Sequence, residues 1–278
     1  MTSNRRSKGN TSQANLKREL LDAVGSLLTQ VRSALFITGP ALSADSGLLH
    51  YRGVPGLVRR KPEDGKVFEA GLAIETLRAK PNVTWGLLLE MDARVREAAP
   101  NRGHEFLVRL ERELPRVTIM TINVDRLHQR AGSRNVIEMH GALHDLLCSR
   151  CELSTRHESF GKLRIPPQCK ACGTVLRPDM PLFGEALPAD PFTRLQAELD
   201  EGFDIVFSIG ISTMFPYIAR PLLVAKSEGI PTVEIGPQPT DLSEVVDFRF
   251  RGSPMRVLDL IADVYGTIVS RRSQPSGM

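Results

Sequence analysis

Four cysteines have the spacing that most directly predicts chemistry in this chain. Cys148 and Cys151 form one C-x2-C pair, and Cys169 and Cys172 form a second pair after seventeen intervening residues. Two such pairs supply the four thiolates of a tetrahedral zinc shell. Because four protein ligands leave no position for water or substrate, the predicted Zn²⁺ is structural and the chemistry must come from other residues.

A second group of polar residues precedes the cysteines. Asn123 and Asp125 lie in TINVDRLHQRAGS and can hydrogen-bond a carboxamide, although Asn and Asp also favour ordinary turns at strand ends. His140 follows in VIEMHG. Its imidazole, with an ordinary pKa of about 6.5, suits proton exchange near neutral pH. The other histidines are interpreted as structural or surface residues.

A loop of small residues follows the first apolar run, in ITGPALSADSGLLHYRG. Gly39, Ala41 and Ser43 would let backbone N–H groups approach a phosphate, and Arg52 offers a forked cation to a diphosphate or a ribose hydroxyl. Taken alone, a Gly-Pro-Ala sequence after a strand is more often only a turn.

Short apolar runs that end in Gly or Asn are expected to position these residues. They are ALFITG, RVTIMTIN, VIEMHG, FDIVFSIG and IPTVEIG, and helical spacing separates several of them, notably from Trp85 to Ala98. Doubly apolar strands that alternate with helices predict an α/β fold, with a parallel sheet covered by helices on both faces. Ligands of such sheets bind beyond the carboxyl ends of the strands. The segment 148–172 shows neither helical nor strand periodicity and is interpreted as a small inserted module.

Composition limits the class of protein. The 278 residues, 41% hydrophobic, can form one large domain or a large and a small one. A net charge of +4 with only 5% aromatic residues does not favour nucleic-acid binding. The chain has no apolar run of about 18 residues and no secretion signal, which predicts a cytoplasmic protein that does not enter a membrane.

Motifs in one order along the chain resemble those of the sirtuins, which are NAD-dependent protein lysine deacylases. The glycine loop is similar to their GAGxSxxSGIPDFRG, TINVDRLHQRAGS to TQNIDGLHxRAG, and VIEMHG to xxELHG. RPDMPLFGE is similar to RPxVVxFGE, and GISTMFPYIARPLL to GTSxxVxPxxxL. The paired C-x2-C lies where the family has its zinc module. The resemblance covers roughly Leu35 to Val246, which is most of the chain.

The resemblance implies a catalytic domain over residues 15–270, with an acylated-lysine protein or peptide bound in its central cleft. The Rossmann-like part comprises 15–54, 100–144 and 182–270, the helical module is 55–99, and the zinc module is 145–181. The tails 1–14 and 271–278 are predicted to be disordered.

The resemblance also implies site residues. His140 is the catalytic base, and Asn123 and Asp125 orient the nicotinamide and its ribose. NAD contacts are implied for Gly39, Pro40, Ala41, Ser43, Tyr51, Arg52, Ile122, Asn123, Val124, Asp125, Gly210, Ile211, Ser212 and Gly236. Backbone groups of Met180, Pro181, Leu182, Phe183 and Gly184 would pair with the substrate peptide as an added strand.

Several residues depart from the family motifs near the expected cofactor. Pro40 and Ala41 replace small residues of the loop, Ile122 replaces a glutamine, Ile211 a threonine and Gly236 an asparagine. Each lost hydrogen bond would cost about 1 kcal/mol or more, so weaker NAD binding is expected.

The acyl group is predicted to be neutral, acetyl or longer. Sirtuins that prefer dicarboxylic acyl groups carry Tyr and Arg where Leu88 and Met91 stand. The expected reaction gives nicotinamide and O-acyl-ADP-ribose. The sequence leaves open two alternatives: ADP-ribosyl transfer or NAD hydrolysis on the same scaffold, and a non-catalytic NAD-binding module.

Overall fold

The computed structural model describes residues 5–48, 50–51, 54–55, 68–212 and 214–273. The helices are α1 Arg5–Leu28, α2 Pro40–Ala44, α3 68–71, α4 Ile74–Ala79, α5 Pro81–Glu97, α6 Arg102–Glu113, α7 Leu127–Ala131, α8 Ala189–Asp200, α9 Pro216–Ser227 and α10 Pro254–Ser273. The strands are β1 Ser33–Thr38, β2 His50–Tyr51, β3 Val54–Pro55, β4 Arg116–Thr121, β5 Val136–Glu138, β6 Ala142–Cys148, β7 Ser154–Arg156, β8 Leu176–Asp179, β9 Ile205–Ile209, β10 Thr232–Gly236 and β11 Phe248–Arg251.

Six parallel strands form the main sheet in the order β11-β10-β9-β1-β4-β5. The chain begins the sheet near its middle, with β1 between β4 and β9, and then builds outward on both sides. This is the strand order of a doubly wound dinucleotide-binding fold, whose ligand crevice opens where the order reverses. The crevice is therefore expected at the carboxyl ends of β1 and β9, and the predicted fold class is confirmed.

Both faces of the sheet are buried, which explains the continuous apolar runs of its strands. Phe36 and Phe207 project onto one face, where they pack with residues of α1, α6 and α10. Leu35 and Ile37 project onto the other face, where residues of α8 and α9 cover them. Alternate side chains of one strand thus enter two separate cores.

A third core lies outside the sheet and joins the helical and cysteine-containing segments. It contains Trp85, Leu88 and Met91 of α5 together with Leu146 of β6 and Phe160. Beside it, β7, β6 and β8 form a three-stranded antiparallel sheet. The cysteine segment 148–172 therefore starts at the end of β6, contains β7 and precedes β8, and its sequence did not predict these strands.

The described residues of the two predicted tails are helical rather than disordered, whereas residues 1–4 and 274–278 lie outside the described part of the chain. Helix α1 begins at Arg5, so residues 5–14 are helical, and α10 continues to Ser273. The later turns of α1 pack against α10 in the first core, and extending an anchored helix costs far less than nucleating one. Among the described helices, none is long and apolar enough to cross a membrane.

Candidate active site

Three loops that leave the carboxyl ends of neighbouring strands build the candidate site. Gly39 follows β1, Ile122 follows β4 and Gly210 follows β9. Because these strands are adjacent and parallel, their loops converge at the crevice where such folds bind ligands.

A buried chain of hydrogen bonds joins the first two loops. Nδ2 of Asn123 donates to the Ser43 hydroxyl at 2.9 Å and to the Gly39 carbonyl at 3.1 Å. The Ser43 hydroxyl in turn donates to Oδ2 of Asp125 at 2.6 Å, while the other Asp125 oxygen accepts the Leu127 N–H at 2.9 Å. The sequence placed Ser43 near a phosphate, whereas the structure makes it the link between Asn123 and Asp125.

One polar atom of this hydrogen-bond network has no partner among the described residues. Oδ1 of Asn123 is buried and has no hydrogen-bond partner within the described part of the protein. An unpaired buried amide oxygen costs roughly 1–3 kcal/mol, so it is poised to accept a hydrogen bond from a bound ligand. Burial also raises the pKa of Asp125, although the bonds from Ser43 and Leu127 oppose that shift.

The small-residue loop does not offer the amides that its sequence suggested. The N–H groups of Gly39 and Ala41 donate to the carbonyls of Ile209 and Gly210 at 2.9 and 3.0 Å. Pro40, the first residue of α2, has no N–H. These amides are used to close the loop against β9, because a strand end that leads into a helix must satisfy its own backbone groups.

Close packing explains why small residues stand in this loop. A Cβ on Gly39 would lie 2.5 Å from the Ile211 side chain and 2.9 Å from the Gly210 carbonyl. Gly210 has a φ of 68°, and a Cβ there would lie 2.7 Å from the Leu42 nitrogen. The two glycines therefore hold the ends of β1 and β9 close together.

The other residues predicted to contact NAD differ in burial and in position. Ile122 and Ile211 are buried and pack together in the apolar core beneath α8 and α9. Gly236 ends β10 and Ser212 is exposed. The Tyr51 side chain and Arg52 lie outside what the structure describes.

His140 lies just beyond β5, with its ring at the cleft. Its Nε2 is 2.8 Å from the Tyr217 hydroxyl. Burial lowers the pKa of His140, and a hydrogen bond to the Ile122 backbone partly opposes the shift. Gly141 follows with a φ of 60°, and a Cβ there would lie 1.8 Å from the Asp179 carbonyl oxygen, so only glycine lets the chain just before β6 approach the end of β8 so closely.

An apolar cavity of about 340 Å³ opens beside His140. Its lining consists of Leu72, Val124, His140, Met180, Pro181, Leu182, Phe183, Gly184, Glu185, Leu187, Phe215 and Tyr217. The structure thus brings His140 together with all five residues that were predicted to bind the peptide. Sequence reasoning missed Tyr217 and Phe215, although both lie in the matched GISTMFPYIARPLL segment.

The predicted peptide-binding segment is fixed from two sides. Phe183 exchanges backbone hydrogen bonds with Leu72 and Ile74, at 3.1 and 3.0 Å. Both carboxylate oxygens of Glu185 pair with the Arg177 guanidinium, and one of them accepts the Leu182 N–H at 2.8 Å. One edge of this segment is therefore already paired within the protein.

Leu88 and Met91 do not line this cavity, contrary to the prediction. Both are at most 1% exposed and pack in the core between α5 and the cysteine module. The apolar side chains of the lining include Leu72, Val124 and Leu182 instead. The lining is apolar as expected, but other residues make it so.

The four cysteines converge as their spacing predicts. All four Sγ atoms lie within 4.8 Å of one another, with Cys148 and Cys172 at 3.4 Å and Cys151 and Cys169 at 3.5 Å. Four thiols in this arrangement suit a tetrahedral zinc ion. The cluster could hold a metal ion, and such an ion would be structural because all four ligands come from the protein.

Comparisons with known proteins agree with this geometry. A model of the Sir2 family matches residues 39–215. The NAD-dependent protein deacylase 2 of Pseudomonas aeruginosa is 40% identical over 248 residues, which are 88% of this chain and 96% of that protein. A mutant Sir2 homologue in complex with ADP-ribose superposes with a TM-score of 0.80 at 32% identity, over 89% of this chain and 97% of that one. A Sir2 homologue in complex with NAD gives a TM-score of 0.77, also at 32% identity, over 90% and 94%. With a family model that matches more than half of its residues and a relative that aligns over most of its length, this chain belongs to the Sir2 family.

Proposed function

We propose that this protein is an NAD-dependent protein lysine deacylase that removes a neutral acyl group, acetyl or longer. The observation that carries the proposal is the unpaired, buried Asn123 amide oxygen in the same crevice as His140 and an apolar cleft. The deacylase relatives support it, because they align over 80 to 88% of this chain.

The residues of the crevice fit NAD. Oδ1 of Asn123 would accept a hydrogen bond from the nicotinamide amide, and the buried Ser43–Asp125 pair would orient the adjoining ribose. Bound NAD supplies an electrophilic ribose carbon whose bond to nicotinamide can break. The remaining predicted contacts belong to the proposal as well: Gly39, Pro40, Ala41, Tyr51, Arg52, Ile122, Val124, Gly210, Ile211, Ser212 and Gly236.

His140 is proposed as the general base of the reaction. Burial keeps its imidazole neutral at physiological pH, so Nε2 can accept a proton in the cleft. Because the surrounding wall is apolar, few waters would compete for that nitrogen.

The acylated lysine is proposed to enter the apolar cavity, with the peptide running along residues 180–184. An apolar lining gives a dicarboxylic acyl group no cation to pair with, which supports a neutral one. The proposal includes the division of the chain into a Rossmann-like part, a helical module and a zinc module. It also includes a cytoplasmic location, without membrane or nucleic-acid partners.

A nicotinamide-release assay tests this function. The zinc-loaded protein is incubated with NAD and one histone-like peptide that carries acetyl, butyryl, octanoyl or myristoyl lysine, and both nicotinamide and the O-acyl-ADP-ribose product are measured. Turnover is expected with at least one neutral acyl group, and a succinyl peptide should be the poorest substrate.

Variants make the assay specific to the site. His140→Ala should abolish turnover with its zinc content unchanged, whereas His157→Ala, on the surface of the cysteine module, should match the wild type. Label from NAD on protein without acyl-lysine consumption would instead indicate ADP-ribosyl transfer. Calorimetric NAD binding without any turnover would indicate a non-catalytic module.

A further inference from the structure

The Tyr217 hydroxyl touches the nitrogen of His140 that faces the cleft. The oxygen lies 2.8 Å from Nε2, although the two residues are 77 positions apart in the chain. Tyr217 is in the first turn of α9, next to Pro216, and lines the same cavity as His140. Among the described residues, His140 is the hydrogen-bond partner that the structure gives this hydroxyl.

The direction of this hydrogen bond follows from its surroundings. Burial raises the pKa of Tyr217 to about 12, so the hydroxyl keeps its proton. The imidazole also has the Ile122 backbone carbonyl as a partner, and a carbonyl can only accept a hydrogen bond. With Nε2 at Tyr217, the ring proton is therefore on Nδ1, and Nε2 accepts the hydrogen bond that Tyr217 donates.

Two other aromatic rings hold the Tyr217 ring in place. Phe215 stacks on it with a centroid distance of 5.8 Å and an interplanar angle of 3°, and Phe192 meets it edge-on at 5.4 Å. The hydroxyl position is thus fixed by packing on the ring, which makes it a rigid donor toward His140.

We propose that Tyr217 is a positioning residue for His140: in the unliganded protein its hydroxyl holds the imidazole as the Nδ1–H tautomer and occupies the Nε2 lone pair, until a substrate hydroxyl replaces it there. The inference rests on the proposed role of His140 as the base. It assigns to α9 a part in the acid–base chemistry that the resemblance to the sirtuins did not imply.

Tyr217→Phe tests the contact, because it deletes the hydroxyl and keeps the ring that packs on Phe192 and Phe215. In the unliganded protein, ¹⁵N NMR of the His140 side chain should show an Nε2 acceptor in the wild type. The variant should lose that hydrogen-bond shift and populate both tautomers. With the best acyl peptide, kcat should fall about fivefold, the effect of roughly one lost hydrogen bond, while KM for NAD stays within about twofold.

Tyr265→Phe is the matched control. The pKa of Tyr265 is also raised to about 12 by burial, and its ring packs on Phe106 in the first core, away from the cleft. This variant should leave the His140 resonances and both kinetic constants unchanged. Thermal unfolding of the two variants identifies any general loss of structure.

The two proposals fail in different ways. If Tyr217→Phe leaves the His140 tautomer and kcat as in the wild type, the positioning role is wrong even though the enzyme turns over. If the wild type shows no turnover with any acyl peptide, the proposed function is wrong and the catalytic part of this inference falls with it. A tautomer change together with a selective fall in kcat supports both.

Discussion

Arg126 has a φ of 59°, in the left-handed region that favours glycine. The similar sirtuin motif has glycine at this position. The Arg126 side chain is 17% exposed and pairs with both Glu138 and Asp145. A left-handed conformation costs a non-glycine residue roughly 1–2 kcal/mol, and these two ion pairs offset that cost while they tie the Asn123 loop to β5 and β6.

Two replacements of Arg126 separate the effect of its backbone strain from the effect of its ion pairs. Arg126→Ala keeps the strain and loses the ion pairs, whereas Arg126→Gly loses the ion pairs and relieves the strain. The alanine variant should therefore be less stable than the glycine variant by about 1 kcal/mol in urea unfolding at pH 7. Equal stabilities of the two variants would contradict the role assigned to the backbone strain.

The pH dependence of the reaction depends on His140. Burial lowers its pKa below the ordinary 6.5, and a base acts in its unprotonated form. As pH falls, kcat/KM for NAD should therefore hold to below pH 6.5 before it declines. The acidic limb of a pH–rate profile gives the midpoint, with zinc content followed at each pH, and a midpoint above 6.5 would be inconsistent with a buried base.

At the scale of elements, the single tryptophan connects α5 to the cysteine module. Nε1 of Trp85 donates to the Leu176 carbonyl of β8 at 3.0 Å, and its ring meets Phe160 edge-on at 5.2 Å. Both partners lie in the part of the chain that the zinc site braces. We therefore expect the third core to depend on the metal, because β7, β6 and β8 form too small a sheet to be stable alone.

Zinc removal should consequently change the fluorescence of Trp85. A chelator that strips the metal is expected to shift the emission to longer wavelength, because the indole loses its buried partners and meets water. Since the sequence has one tryptophan, Trp85→Phe provides a signal-free control. Unchanged emission after complete removal of zinc, verified by metal analysis, would show that the core does not depend on it.

At the scale of the whole molecule, two buried histidines tie stability to pH. The rings of His104, in α6, and His128, in α7, meet at 4.8 Å. His128 Nε2 contacts the Thr38 hydroxyl at 2.8 Å, and His104 Nδ1 accepts the Asn101 N–H at 3.2 Å. Burial lowers the pKa of His104 to about 4 and that of His128 well below its ordinary value, with the His104 charge adding to the second shift.

These lowered pKa values predict an acid-sensitive fold. Between pH 6.5 and about 4 the unfolded chain binds protons that the folded protein excludes, so stability falls as pH falls. His104 alone should cost about 3 kcal/mol by pH 4. In urea titrations from pH 7 to 4.5, His104→Gln should flatten this dependence and His157→Gln should not, with zinc retention checked. Equal slopes for all three proteins would rule out the buried pair as the cause.

Whether the sequence predicted an element depended on the local environment of that element. The five continuous apolar runs are all strands of the sheet, because strands covered on both faces must be apolar throughout. Strand β11 was not predicted, since it alternates Phe and Arg at the sheet edge and buries only Phe250 fully. Leu88 and Met91 were assigned to the cleft by motif spacing alone, which does not determine toward which core a helix turns.

The sequence by itself determined the strands of a doubly wound sheet, the four cysteines that could bind zinc, and the histidine and asparagine of the candidate site, because short stretches of residue types and spacings encode them. Only the tertiary structure decided that Tyr217 meets His140, that Ser43 bridges Asn123 to Asp125, and that the amides of Gly39 and Ala41 are already paired. These contacts join residues far apart in the chain. Their formation depends on which strands become neighbours and how closely the loops beyond them pack, and no local pattern specifies either.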